Sequence, residues 1–313
     1  MKFLLTGGAG FIGSSLGDKL LDLGHEVVCI DNFDDFYSKE IKLENISSAK
    51  LNPNYKFVEC DVRDKTALSN LFSENKFDLV IHLAAKAGVR PSVTDPVSCH
   101  DVNVGGALSL LECMKNAGVT KLFFASSSSI YGNNTKIPFS EIDQVHNPIS
   151  PYAVSKRAGE LLCHTYHHLH NFDVFCFRFF TVYGPRQRPD LAIHKFYNLI
   201  SNNKPIQMYG DGSTSRDYTY IDDIVNGVVN AVPALKGYQI INLGESKTIS
   251  LSEMINVLQQ KMNKKAIIEK IAFQPGDVER TFADISKAKK LINYNPKWDF
   301  SAGIDQFLKW KKE

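Results

Sequence analysis

The sequence lacks a long apolar segment, whereas a membrane-spanning helix needs roughly 18 such residues. The apolar run at residues 1–5 is interrupted at once by glycines and is too short for the core of a signal peptide. An excess of charge is also missing, because 36 basic and 34 acidic residues alternate along the chain and give a formal net charge of +2. We therefore expect no membrane contact, and no nucleic-acid partner because no basic stripe tracks a phosphodiester backbone.

Paired cysteines are absent as well. The six cysteines are scattered without a C-x-x-C pair, and most lie in apolar runs where a thiol behaves as a small core residue. We therefore expect a reducing, cytoplasmic setting. Four histidines between residues 164 and 170 have helical spacings that could seat a metal, but no third ligand accompanies them. A solvated helix face is the preferred interpretation, and we expect no metal site.

The first half of the chain alternates β-rich runs with helical patterns. The predicted strands cover residues 2–6, 26–30, 56–59, 79–83, 121–126 and 173–179. A helix is predicted between two of them at 107–117, with Gly118 as its terminator. Because parallel neighbours need a crossover helix, this alternation predicts an α/β fold with a doubly wound parallel sheet.

The pattern changes after residue 180, where turns rich in Gly, Pro and Asp separate the helices. We predict that residues 1–180 form the doubly wound domain and that 181–313 form mainly a smaller α/β lobe. The two are interleaved, because part of 215–245, including a strand-like run at 239–243, is expected to return to the first domain.

A glycine-rich turn follows the first strand and opens a helix. Residues 6–13 read TGGAGFIG, which lets bare backbone N–H groups and a helix N-terminus approach a pyrophosphate. Asp31 ends the second strand, where an acidic residue accepts the ribose hydroxyls of NAD and repels the 2′-phosphate of NADP. A Rossmann-type site for NAD is therefore predicted, with 1–180 as the NAD-binding domain.

The G-x-x-G-x-x-G spacing of Gly7, Gly10 and Gly13 resembles the extended short-chain dehydrogenases/reductases, a family that includes NAD-dependent epimerases and dehydratases. Further matches run along essentially the whole chain. The resemblance implies that NAD is bound by Gly7, Gly10, Phe11, Ile12, Gly13, Asp31, Asn32, Asp61, Val62, Leu83, Ala84, Ala85, Asn103, Tyr152, Lys156 and Phe179.

Tyr152 and Lys156 are four residues apart at the start of a helical pattern over 152–170, so both lie on one face. A tyrosine near its usual pKa of about 10 is a poor base, but a neighbouring ammonium and a charged nicotinamide would favour the phenolate. Alone, this spacing also fits any amphipathic helix surface. The family resemblance adds Ser127, four residues before a Tyr-Gly pair, as the hydroxyl that binds the reacting oxygen.

Ser128 and Ser129 follow Ser127. Related dehydratases have an Asp-Glu pair there and related decarboxylases have a glutamate, whereas four serines in a row also satisfy the backbone groups of a turn. Without those carboxylates, a 4-keto sugar has no acid or base to divert it. The resemblance then implies that Tyr152, directly or through Ser127, takes the C4 hydroxyl proton while hydride passes to NAD. The keto sugar then rotates about its phosphate linkage, and hydride returns to the opposite face.

The segment 178–190 resembles the corresponding segment of UDP-glucuronate 4-epimerases. The resemblance implies that Thr181 faces the sugar and that Arg188 holds a C6 carboxylate, although such an arginine also fits a solvated loop or a diphosphate contact. Thr281, beside the C2 substituent in relatives, is too small to exclude an N-acetyl group. The other substrate-binding residues implied are Arg90, Ser127, Ser128, Gln207, Arg216 and Arg280.

The sequence thus predicts a UDP-sugar 4-epimerase, with UDP-glucuronate and UDP-galacturonate as the preferred pair. UDP-glucose/UDP-galactose and the UDP-N-acetylhexosamines remain alternatives. A nucleotide-keto-sugar oxidoreductase and a non-catalytic dinucleotide-binding protein are alternatives of other classes. The resemblance also implies a homodimer packed through helices near 99–117 and 152–170.

Overall fold

The computed structural model describes residues 1–272 and 279–312. The strands are β1 Lys2–Thr6, β2 Glu26–Asp31, β3 Tyr55–Glu59, β4 Leu79–His82, β5 Lys121–Ser127, β6 Asp173–Phe179, β7 Thr181–Tyr183, β8 Ile206–Tyr209, β9 Ser215–Arg216, β10 Tyr218–Tyr220, β11 Tyr238–Leu243, β12 Ile249–Ser250 and β13 Ile268–Ile271. The helices are α1 Phe11–Asp22, α2 Lys39–Asn45, α3 Lys65–Glu74, α4 Val89–Thr94, α5 Pro96–His100, α6 Gly106–Asn116, α7 Pro151–His170, α8 Ala192–Ser201, α9 Ile221–Asn230, α10 Leu251–Met262, α11 Ser286–Ile292 and α12 Phe300–Trp310.

A seven-stranded parallel sheet forms the centre of the fold, in the order β11-β6-β5-β4-β1-β2-β3. The predicted doubly wound sheet is confirmed, and so is the return of residues 239–243, since β11 pairs along β6. The strand order reverses between β1 and β4, and ligands of open α/β sheets bind in the crevice at such a switch point.

Both faces of this sheet are covered. Phe3 and Leu5 pack into one apolar cluster, whereas Leu4 between them packs into the other, and all three are fully buried. Side chains alternate across a strand, so a strand covered on both faces reads as a continuous apolar run. This explains why short hydrophobic runs predicted these strands well.

The strands outside the main sheet pair in twos within the described residues: β7 with β10 and β8 with β13 in parallel, β9 with β12 antiparallel. They follow β6 and form the side of the molecule that carries the predicted substrate residues. Gly276, Asp277 and Val278, which precede Glu279 and the predicted substrate residue Arg280 in the sequence, lie outside the described residues. Among residues 1–272 and 279–312, no helix combines the length and apolar character needed to cross a bilayer.

Candidate active site

A cavity of about 760 Å³ lies at the carboxyl ends of the central strands. It is lined by most of the predicted site residues, namely Gly7, Gly10, Phe11, Ile12, Gly13, Asp31, Asn32, Val62, Leu83, Ala84, Ala85, Ser127, Ser128, Tyr152, Lys156, Phe179, Thr181, Arg188 and Arg216. Segments far apart in the sequence therefore meet around one space. The lining around the glycine-rich turn is called the cofactor end, and the lining by Arg188, Arg216 and the threonines is called the substrate end.

The glycine-rich turn joins β1 to α1 and approaches the loop after β4 closely. Gly7 has a φ of +68°, and a Cβ at this position would lie 2.7 Å from the backbone nitrogen of Ala84. Gly10 is the N-cap of α1. It has no side chain that could cap the helix, so no N-cap side chain covers the N–H groups of the first turn. Bare backbone at a helix N-terminus suits a pyrophosphate.

Asp31 closes β2 beside this turn. Its carboxylate accepts hydrogen bonds from the backbone nitrogens of Ala9 at 3.2 Å and Phe33 at 2.9 Å, and Lys42 Nζ lies 3.9 Å away. Burial raises the pKa of Asp31, and the Lys42 charge counters part of that rise. The carboxylate is fixed in place and retains lone pairs for ribose hydroxyls. Together with the glycine-rich turn, it makes this end of the cavity fit NAD.

The first turn of α7 positions Tyr152 and Lys156. Ser150 caps the helix by accepting from the Ala153 nitrogen at 3.1 Å, and Pro151 occupies its first position. Lys156 Nζ lies 5.8 Å from the centre of the Tyr152 ring, so the predicted shared face is confirmed. The same Nζ donates to the carbonyl oxygen of Ala125 at 2.8 Å.

The electrostatics of this pair differ from the expectation. Burial raises the pKa of Tyr152, and the influences that lower it come from the Ser127 hydroxyl and the Arg188 charge. Burial also lowers the pKa of Lys156 to about 8. Lys156 is not among the groups that lower the pKa of Tyr152 here, and its ammonium donates to the Ala125 carbonyl of β5. The expected joint effect of Lys156 and a charged nicotinamide on the Tyr152 phenolate stays a prediction.

Ser127 ends β5, and a 3-10 turn follows it. Ser127 Oγ accepts from Ser129 N at 3.2 Å and from Ser129 Oγ at 2.8 Å, so Ser129 does stabilise the turn. Within the described part of the chain, the carboxylates that line the cavity are Asp31, Asp34 and Asp95. Asp34 pairs with Lys86 at 3.1 Å and Asp95 caps α5 through the Ser98 nitrogen. None of them follows Ser127 in sequence.

A buried ion pair holds α7 against the sheet. Glu160 is fully buried and accepts from Arg178 Nε at 2.9 Å and Nη2 at 3.0 Å. Its carboxylate also accepts from Ser126 Oγ at 2.7 Å. Glu160 lies one helical turn after Lys156, and Ser126 precedes Ser127. Glu160 therefore connects α7 to β6 through Arg178, and to β5, which carries Ser127, through Ser126.

Arginines and threonines form the other end of the cavity. Arg188 makes a two-point ion pair with Asp190, with Nε to Oδ1 at 2.9 Å and Nη2 to Oδ2 at 2.8 Å. Arg216 Nη1 donates to the Ser215 carbonyl at 3.0 Å. Thr181 and Thr281 also line this end, and Thr281 Oγ1 accepts from the backbone nitrogen of Asp217.

Comparison with known proteins agrees with this arrangement. The family model described as GDP-mannose 4,6 dehydratase, a group of extended short-chain dehydrogenases/reductases, matches residues 4–307. The chain belongs to this family. It is 45% identical over 312 residues to a UDP-glucuronate 4-epimerase of Thermodesulfobacterium geofontis (strain OPF15), a match that covers 99% of this chain and 96% of that protein.

Two solved structures of extended short-chain dehydrogenases/reductases are similar over the full chain. UDP-glucuronic acid 4-epimerase from Bacillus cereus, in complex with UDP-glucuronic acid and NAD, has a TM-score of 0.94 at 38% identity and is matched over 100% of this chain and 99% of that one. UDP-glucose 4-epimerase from Thermotoga maritima, with UDP-glucose, has a TM-score of 0.90 at 30% identity over the same shares.

Two cofactor residues expected from the family resemblance lie behind the cavity wall. Asn103, in a π-helical turn before α6, donates to Ser155 Oγ at 2.9 Å and exchanges hydrogen bonds with both backbone groups of Lys86. It therefore fixes the loop after β4. Asp61 accepts from Asn32 Nδ2 at 2.8 Å and from the guanidinium of Arg63.

Three expected substrate residues of this extended short-chain dehydrogenase/reductase also lie outside the cavity lining. Arg90 stacks over the Tyr209 ring, 4.4 Å from its centre. Gln207 is exposed on β8, and Arg280 Nε donates to Ser215 Oγ at 3.2 Å. All three contact or belong to the β8–β9 region beside the cavity.

Sequence reasoning missed Lys42, Glu160 and Asp190. Lys42 and Glu160 had a usable signal, because a charged residue on the buried face of a helical pattern needs a partner in the core. Asp190 had a weaker signal, namely its position two residues after Arg188.

Proposed function

We propose that this protein catalyses the reversible C4 epimerisation of a UDP-hexose, with UDP-glucuronate and UDP-galacturonate as its preferred pair. The observation that carries the proposal is the meeting of Tyr152, Lys156 and Ser127 in one cavity with the glycine-rich turn, where serines and not carboxylates follow Ser127. The full-length similarity to UDP-glucuronate 4-epimerases supports it.

The cofactor would be held by the backbone of Gly7, Gly10 and Gly13 at its pyrophosphate and by Asp31 at its ribose. Phe11, Ile12, Asn32, Val62, Leu83, Ala84, Ala85 and Phe179 would complete the wall, with Asp61 and Asn103 supporting it from behind. When bound, NAD supplies a redox centre that removes hydride from the sugar and returns it.

The chain's own residues would handle the proton and the orientation of the sugar. Tyr152 takes the proton of the C4 hydroxyl and later returns it, with Ser127 holding the oxygen. Because burial raises the pKa of Tyr152, the phenol needs positive charge nearby to act as a base, and Arg188 supplies some of it. Ser128 and Ser129 offer neither acid nor base, so the ketone is re-reduced.

The substrate would lie toward the arginines. Thr181 and Ser128 would face the sugar, Arg188 would bind the C6 carboxylate, and Arg216 and Arg280 would bind the diphosphate. Gln207 would contact the uridine, and Arg90 would approach the sugar or the phosphates. The described position of Arg90 over Tyr209 keeps it next to the β8–β9 region.

A product assay tests the proposal. The purified protein is incubated separately with UDP-glucuronate, UDP-glucose and UDP-N-acetylglucosamine, and the products are resolved by chromatography. We expect the C4 epimer of UDP-glucuronate to form fastest, without net accumulation of NADH. Absence of a C4 epimer from all three sugars would refute the epimerase assignment, and stoichiometric NADH would favour an oxidoreductase.

Arg188→Ala tests the carboxylate contact. We expect kcat/KM for UDP-glucuronate to fall roughly 100-fold and that for UDP-glucose to change far less, because an ionised hydrogen bond contributes about 1.5–3 kcal/mol. Arg186→Ala is the matched control, since Arg186 lies in the same loop and pairs with Asp18 at 2.7 Å. Equal losses for both sugars in Arg188→Ala would contradict the carboxylate role.

Epimerisation of neutral UDP-hexoses is the second candidate. Arg188 already has a counter-ion in Asp190, so a sugar without a carboxylate does not leave this guanidinium unpaired. The small Thr281 in the cavity lining also leaves room beside the sugar. The same assay decides, because faster turnover of UDP-glucose than of UDP-glucuronate would reverse the order of the two candidates.

A cytoplasmic homodimer completes the proposal. The exposed apolar side chains of Leu108 on α6 and of Val154, Leu161 and Leu169 on α7 support packing through these helices, and the six cysteines are buried free thiols. We expect the wild type to sediment as a dimer and Leu161→Glu as a monomer. A monomeric wild type at micromolar concentration would contradict the dimer. The division into an NAD-binding domain at 1–180 and a nucleotide-sugar lobe at 181–313 remains part of this proposal.

A further inference from the structure

The loop that carries Arg188 is held at several points. Arg186 adopts a left-handed φ of +63°, and its Nη1 donates to Asp18 on α1 at 2.7 Å. Gln187 is buried, and its carbonyl oxygen lies 2.6 Å from His194 Nδ1 on α8. Its side-chain oxygen also accepts from the His194 backbone nitrogen. The backbone on the N-terminal side of Arg188 is therefore fixed by contacts that do not involve Asp190.

Asp190 pairs with Arg188 but is not part of the cavity lining. Arg188 lines the cavity and its side chain is 17% exposed, whereas Asp190 does not line it and its side chain is 36% exposed. Asp190 occupies Nε and Nη2, which leaves Nη1 out of this ion pair. The guanidinium thus carries an internal carboxylate while it contributes to the cavity wall.

Phe36 gives Arg188 a second support. The guanidinium carbon lies 5.2 Å from the centre of the Phe36 ring, a cation–π contact at the cavity wall. The Arg188 side chain is also mostly buried in the folded protein. Its position therefore does not depend on the ion pair alone, and the main property that Asp190 adds is negative charge.

We propose that Asp190 is a specificity-determining residue that limits how strongly this site selects an acidic sugar over a neutral one. The inference rests on the proposed function. With Asp190 present, a neutral sugar meets an arginine whose charge is already balanced by the Asp190 carboxylate. An acidic sugar must instead share that arginine with Asp190. Without Asp190, a neutral sugar would enclose an unpaired guanidinium, and a carboxylate sugar would supply its counter-ion.

Asp190→Asn and Asp190→Ala test the proposal against Asp18→Asn. The control removes an Arg–Asp ion pair of the same loop, the pair between Asp18 and Arg186. For each protein, kcat/KM is measured for UDP-glucuronate and UDP-glucose at low and high salt. Both Asp190 variants should raise the acidic-to-neutral ratio about tenfold, which corresponds to about 1.4 kcal/mol. The increase should shrink at high salt, and Asp18→Asn should leave the ratio unchanged.

Two results for the acidic-to-neutral ratio would contradict the proposal. A ratio that falls in both Asp190 variants would overturn the proposal and make Asp190 an orienting residue for Arg188. An unchanged ratio would overturn it as well. If wild type forms no C4 epimer from either sugar, the proposed function itself fails; calorimetric binding of the two UDP-sugars to wild type and Asp190→Asn then decides whether Asp190 sets ligand selectivity.

Discussion

The cofactor end and the substrate end of the cavity are formed by different kinds of residue. At the cofactor end, backbone and small residues form the wall, and their positions are enforced by close approach, as for Gly7 against Ala84. At the substrate end, the side chains of arginines and threonines contribute to the wall, and hydrogen bonds or ion pairs hold them, as for Arg188 with Asp190. Backbone groups at the cofactor end have little freedom to move. At the substrate end, by contrast, replacing one residue that pairs with an arginine can change which ligand is preferred.

The difference shows how one fold serves several sugars. Backbone geometry at the cofactor end recognises a group common to every dinucleotide, so a short motif specifies it. In the proposed function, arginine side chains at the substrate end recognise charge, and the net charge there also depends on Asp190, which does not line the cavity. Full-length similarity to epimerases of both acidic and neutral sugars fits this division.

Tyr152→Phe tests the predicted catalytic tyrosine of the cavity and should have the largest effect on activity. Loss of the phenolic hydroxyl should lower kcat by about 10³-fold, since a general acid–base group contributes 10²–10⁴-fold. Bound NAD and UDP-sugar affinity should remain, because neither end of the cavity changes. Tyr197→Phe on α8, outside the cavity lining, is the control. Turnover close to wild type in Tyr152→Phe would remove this residue from the mechanism.

Glu160→Gln tests how rigidly the cofactor end is supported. It leaves the buried Arg178 without its counter-ion and should lower the free energy of unfolding by about 3–5 kcal/mol. Asp305→Asn, which removes the exposed ion pair with Lys261 between α10 and α12, should cost less than about 1 kcal/mol. Urea unfolding measures both. Similar losses in the two variants would contradict the contrast between the buried and the exposed pair.

Gly7→Ala tests whether close approach sets the cofactor end. Gly24 has a similar φ of +76°, but a Cβ there would meet no atom within 4 Å, so Gly24→Ala carries the backbone strain alone. That strain costs about 1–2 kcal/mol. Gly7→Ala adds a clash with Ala84, so it should lower the free energy of unfolding by at least about 1 kcal/mol more and weaken NAD retention on gel filtration. Equal losses would show that the approach to Ala84 is not limiting.

Glu245→Gln tests the electrostatics of the substrate side and should have the smallest effect. Burial raises the pKa of Glu245 to about 7, and within the described residues its Oε2 has no hydrogen-bond partner. A carboxyl whose pKa is raised by folding stabilises the protein below its unfolded pKa of about 4.3, and this contribution is lost as pH rises to about 7.

The wild type should therefore lose stability between about pH 4.5 and 7, and Glu245→Gln should lose about 1 kcal/mol less over that window. Urea unfolding of both proteins at pH 5 and pH 8 measures the difference. Parallel pH profiles would show that this carboxyl is not protonated by burial.

The sequence by itself determined the sheet, the glycine-rich turn and the Tyr152–Lys156 pair. Strands buried on both faces appear as apolar runs, and the glycine-rich turn and the Tyr152–Lys156 spacing are local patterns, so short-range rules reach them. The family resemblance then identified Ser127, which no local pattern distinguishes from the serines that follow it.

Only the tertiary structure decided what surrounds these groups. Burial raises the pKa of Tyr152, and the lysine one turn away donates to the Ala125 carbonyl. Asn103 and Asp61 support the cavity from behind, and Asp190 compensates Arg188 from outside it. These properties depend on distances between segments far apart in the chain, and desolvation and Coulomb energies follow those distances and not sequence spacing.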